Sequence, residues 1–194
     1  MKKNILNNTI FYGGSQVIGK FVTVLTLPFL LSLIDKEDYG VIAIYLGIQQ
    51  ILSIYISSGA RPALNKYYGN LNLSGQVEIL KYFRKRIVYK SFFIFIVLFI
   101  FRFLFNLNFS YQVDLFNLIL VFVLTVLVAI DSLVDPVTIV AGKAYANSVL
   151  ASMNSSFAPI LVLILLYYNS SVTSYLLAIT ISYLIKIFAS ISLN

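Results

Sequence analysis

The chain has 194 residues, of which 60% are apolar and only 11% charged, with a mean hydropathy of +0.92; soluble domains carry about a quarter charged residues, so this is the composition of an integral membrane protein. It contains no cysteine and no histidine, which excludes a disulfide framework, a thiolate nucleophile and a thiolate metal site. The formal charge of +7 sits largely in one connecting segment, where membrane topology accounts for it without nucleic acid.

Six apolar segments follow one another: Ile10 to Ile34, Gly40 to Ser58, Ile87 to Phe105, Leu115 to Val140, Ala144 to Tyr168 and Val172 to Leu193. Each is long enough to cross a hydrocarbon core of about 30 Å as a helix. The two-residue alternation of a membrane β-barrel is absent, so the expected fold is all-α, a polytopic membrane bundle of about six transmembrane helices. Lys2 and Lys3 precede the first run, which is too long for a signal-peptide core and reads as a retained span. With no Gly/Ser-rich linker and no repeat, residues 1–194 read as a single transmembrane domain.

The connections "DKEDYG", "NLNFSYQVD" and "YNSSVTS" are short, which makes consecutive spans antiparallel neighbours. The long connection carries Arg61, Lys66, Lys81, Arg84, Lys85, Arg86 and Lys90 against one acid, Glu78. With a cytoplasmic N-terminus, these seven join Lys2, Lys3 and Lys143 to put ten basic residues inside, against Lys36 and Arg102 outside. The excess of Lys and Arg on the cytoplasmic side then places both termini inside. "EILKYFRKRIVYK" has helical spacing with a basic remainder and is expected to lie along the membrane surface before turning into the third span. The third span is apolar all round, as a helix facing lipid would be.

The first two spans carry polar stripes. Tyr12, Gln16, Lys20 and Thr23 share one face of the first, and Tyr45, Gln49, Ser53 and Ser57 share one face of the second, with Gln50 beside them. In hydrocarbon such stripes turn inward, either to bond one another as interhelical glue or to line a wet cavity. An ammonium at Lys20 costs at least about 2.5 to 3.5 kcal/mol to insert and needs water, an acid or an anionic ligand. Asp131 and Asp135, four apart on the fourth span, read as an ion-coupling site, as a counter-ion for Lys20, or as a wet helix end. Pro136 predicts a kink beside them. Pro28 and Pro159 also fall within spans, and Lys186 on the sixth is expected to snorkel to the interface. No acid/base or nucleophile set and no phosphate-cradling loop is present, so neither catalytic residues nor a cofactor is expected.

The stretch "NNTIFYGGSQVIGKFVTVLTLPFLLSLIDKEDYGVIAIYLGIQQILSIYISSGARPALNKYY" resembles the start of the polysaccharide flippases, exporters of O-antigen and capsule units within the multidrug/oligosaccharidyl-lipid/polysaccharide exporter superfamily. Tyr39 and Gly40 fit the family's Leu-Gly-Pro-x-x-Tyr-Gly turn, in which the Gly-Pro is replaced here. Gly59, Ala63 and Leu64 fit the later Gly-x-x-x-Ala-Leu run, and "AGKAYANSVLASMNSSF" is similar to the start of the family's fifth helix. The resemblance implies an undecaprenyl-diphosphate-linked oligosaccharide as cargo, carried across the bacterial cytoplasmic membrane. It implies Lys20 and Arg61 as cationic groups that receive the diphosphate, with Gln16 and Gln49 as further substrate-binding residues. Family members have two lobes of six helices, so the chain is similar to the N-terminal lobe, with membrane lipids and a second six-helix lobe as partners. Three alternatives stand beside this one: a drug or cation exporter of the same superfamily, a membrane-embedded polysaccharide polymerase, and a nonfunctional fragment.

Overall fold

The computed structural model of the chain describes residues 2–105, 114–140 and 144–192. These form α1 (Lys2–Leu33), α2 (Lys36–Ser57), α3 (Ala60–Tyr67), a short 3₁₀ turn (Tyr68–Asn70), α4 (Leu73–Phe105), α5 (Leu115–Asp131), α6 (Val134–Val140), α7 (Ala144–Tyr168) and α8 (Val172–Ser192), with no strand among the described residues. Four stretches are long and apolar enough to cross a membrane: Lys36–Ser57, Leu115–Thr138, Ser148–Tyr168 and Val172–Ser190. Val17–Leu33 of α1 is a shorter apolar stretch. The fold is therefore an all-helical membrane bundle.

Three helices at its centre run in the same direction. Tyr45, in the first half of α2, packs with Leu120 and Val121 near the start of α5 and with Leu176 near the start of α8. Ile56, at the end of α2, packs with Ala129 at the end of α5 and with Leu133 just past it. Thr173 and Lys186 of α8 bond Asn117 and Asp131 of α5, start to start and end to end. α7 turns back into α8 through a short connection and runs the other way, with α1 beside it. Gly19 of α1 abuts Ser155 of α7, and further along both helices Leu30 and Ile34 pack with Val162 and Leu166.

The α1–α7 contact is set by small residues. The position of a Cβ on Gly19 is already filled by the Ser155 hydroxyl and Cβ, so the two backbones approach as they do in small-residue membrane contacts. Pro159 lies within α7 and has no N–H to offer the Ser155 carbonyl four residues before it. The helices meet where one ladder bond is missing.

Three expectations are corrected. Although only Ile34 and Asp35 separate α1 from α2, α1 lies along α7 rather than α2, because Gly19 gives α7 the closer fit. The polar residues Lys36 to Gly40 are not a turn but the first turn of α2, where Glu37 and Asp38 face the positive end of its dipole. The basic segment does not turn before the third apolar segment: the two form one uninterrupted helix, α4, of 33 residues, about 50 Å long. A common core holds it against α2 and α3, since Phe83, Ile87 and Ile94 pack with Ile56, Ala60, Leu64 and Tyr68. Gln76 ties the start of α4 to the 3₁₀ turn by donating to the carbonyls of Tyr68 and Leu71, at 3.1 and 3.2 Å.

The kink expected near Pro136 is a full break. α5 ends at Asp131 and α6 begins at Val134, because the proline ring clashes with the carbonyl of residue 132 and cannot bond it. Ser132 partly compensates by donating its hydroxyl to the Ala129 carbonyl at 2.6 Å. Asp131 therefore ends α5, and Asp135 lies in α6.

Candidate functional site

α1 and α2 are joined at Ile34 and Asp35, where Ile34 packs in one cluster with Ile42 of α2 and with Val162 and Leu166 of α7. Lys20 lies about 21 Å from that junction along α1, one turn inside the apolar stretch that begins at Val17. It is exposed, as is Thr23, whose hydroxyl donates to the Gly19 carbonyl at 3.0 Å.

The second stripe goes elsewhere. Tyr45, Gln49 and Ser53 are buried, and Tyr45 packs among residues of α5 and α8. The Tyr45 hydroxyl has no hydrogen-bond partner among the described residues. The structure thus sets Lys20 apart from Gln49: Gln49 is interior, while Lys20 is exposed. Arg61 is exposed on α3, just past Gly59, whose φ of 80° in the left-handed region lets the chain turn out of α2. The side chains of Tyr12, Gln16 and Asp135 lie outside the described residues, as do Lys143 and the side chain of Arg102.

Lys186 differs from its expected place. Its ammonium does not snorkel but donates to Asp131 Oδ2 at 2.6 Å, with side-chain exposures of 8% and 14%. Asp131 is accordingly not the counter-ion of Lys20. A sequence signal for the pair existed: α5 and α8 each place one charge late in a span of the same direction. Lys90 likewise gains a role that charge counting missed. Its amine donates to the Tyr55 carbonyl at 3.0 Å and to the Ser58 hydroxyl at 2.7 Å, and lies 5.0 Å from the Tyr55 ring centre. It caps the carbonyl end of α2, where a cation meets the negative end of the helix dipole.

Buried charge paired across two parallel helices and an exposed cation within an apolar stretch belong to an α-helical membrane protein with an ion pair in its interior. Comparison with protein-family models, with curated proteins and with solved structures gives no match.

Proposed function

We propose that the chain is the cargo-facing N-terminal lobe of a flippase for undecaprenyl-diphosphate-linked oligosaccharides, acting in the bacterial cytoplasmic membrane with both termini in the cytoplasm. Its counterpart is a second lobe of like architecture, on a continuation of this chain or on another molecule. The observation that carries the reading is Lys20, an exposed ammonium inside the apolar stretch of α1. Such a cation attracts a diphosphate while the polyprenyl tail stays in lipid. Arg61, exposed beyond the end of α2, adds a second cation for an anionic head group. The order of features shared with polysaccharide flippases supports the same cargo, and transport follows from rocking of two lobes around the bound head group.

The test is made in a complete two-lobe protein, with surface glycan and protein abundance measured together. Lys20→Arg retains export, Lys20→Gln loses most of it, and Lys20→Leu inserts normally without exporting. Normal surface glycan with leucine at position 20 would end the proposal.

A further inference from the structure

One face of α4 carries both a charged and an apolar row, and among the described residues both rows are left largely exposed. Lys81, Arg84 and Lys85 are exposed and share this face at spacings of three and four. The same face continues through Val88, Phe92, Phe95 and Phe99, again at steps of four and three, and all four are exposed. Lys85 lies 5.7 Å from the ring centre of Tyr89, which is itself exposed at the junction of the two rows. Phe95 and Phe99 stack at 6.5 Å, and Phe95 meets Phe122 of α5 at 4.9 Å, so the apolar row is steadied from one side and open on the other.

The dimensions match one lipid. From Val88 to Phe99 the helix rises about 16 Å, close to the depth of a single leaflet, half of a core of about 30 Å. The basic triad lies within the next two turns, where phosphates sit, and a tyrosine marks the boundary as membrane tyrosines do. Because α4 is continuous, head-group and tail positions are held in fixed register. Glu78 is the one acid among residues 61–90, so the net field at the boundary is positive. We propose that this face binds an anionic phospholipid, with its phosphate on Lys81, Arg84 and Lys85 and an acyl chain along Val88, Phe92, Phe95 and Phe99. A zwitterionic phospholipid presents its own ammonium to the same triad and binds less well. The proposal does not depend on the cargo or on which side of the membrane the triad faces.

The experiment uses the full chain purified in mild detergent, equimolar phosphatidylglycerol and phosphatidylethanolamine as probes, and native mass spectrometry to count retained lipid. Phosphatidylglycerol is expected to be retained over phosphatidylethanolamine by at least about fivefold. A triple Lys81→Gln, Arg84→Gln, Lys85→Gln variant should abolish that preference, and Lys81→Arg with Lys85→Arg should keep it. A control removing Lys2, Lys3 and Lys36 as glutamines should also keep it. Equal retention of both lipids by the unmodified chain, an unchanged preference in the triple variant, or the same loss in the control would each overturn the proposal. If the triple variant is not monodisperse, single Lys81→Gln and Lys85→Gln variants replace it, and no fall in preference in either would count against the site.

Discussion

Lys186 Nζ and Asp131 Oδ2 stand 2.6 Å apart across the α5–α8 interface, at the point where Pro136 forces α5 to end. At the other end of the same interface the Thr173 hydroxyl donates to Asn117 Oδ1 at 2.8 Å. One interface thus uses a neutral bond near the start of its two helices and an ionic one toward their ends. The neutral bond shows that charge is not required merely to join these helices.

The two contacts should respond differently to truncation. Removing either partner of a buried ion pair strands the other charge and costs about 3 to 5 kcal/mol, whereas a neutral membrane hydrogen bond averages about 0.6 kcal/mol. Asp131→Leu and Lys186→Leu should each lower membrane abundance and thermal stability in detergent sharply, their combination much less, and Thr173→Val hardly at all. Losses that simply add in the double variant would refute the pairing. A double variant that is abundant but fails to transport in a two-lobe protein would instead favour ion coupling at Asp131, and with it a cation-driven exporter.

The α1–α7 contact depends on the missing side chain at Gly19. Gly19→Val should destabilise the bundle by about 1 to 3 kcal/mol through overpacking, read as a lower melting temperature in detergent. Ser155→Gly in the same chain should recover part of the loss. A Gly19→Val protein as stable as the parent would show that α1 does not rest on Ser155.

Tyr45 buries a hydroxyl for which no partner is present among the described residues. An unbonded buried hydroxyl costs roughly 1 to 3 kcal/mol, so Tyr45→Phe should leave thermal stability unchanged or raise it. A clear fall would reveal a bound water or ligand on that hydroxyl.

The chain has no cysteine, which makes accessibility easy to map. A cysteine at position 20 should react with a membrane-impermeant maleimide in purified protein, while one at position 49, buried among α2, α5 and α8, should be protected. In intact cells, cysteines at positions 36 and 81 should label from opposite sides. External labelling at position 81 would reverse the proposed orientation.

Helix content was legible because hydrocarbon leaves the backbone few options, and spans such as Ala144 to Tyr168 could be marked to the residue. Pairing between helices was not. The polar stripes on the first two spans suggest that they face each other, but nothing local reveals that Gly19 fits Ser155 more closely than any residue of α2. The uninterrupted α4 was equally hidden, since a helix that turns and one that runs on share the same spacing. What decides between them is a distant core of Ile56, Leu64 and Tyr68 against Phe83 and Ile87. Lys186 was misplaced for a related reason: snorkelling is judged from depth alone, whereas its geometry is dictated by a carboxylate 55 positions earlier.

That separation has a consequence during biosynthesis. The 55 residues between the two charges take roughly 3 to 11 s to translate at 5 to 20 residues per second. Throughout that interval Asp131 has been joined to the chain and Lys186 has not been made. The carboxylate must therefore wait at the insertion machinery, in water, or protonated in lipid until α8 arrives. α5 gains its ionic partner only when α8 is delivered, so a nascent chain stopped between residues 131 and 186 exposes a membrane helix ending in an unmatched acid, a form suited to capture by quality control.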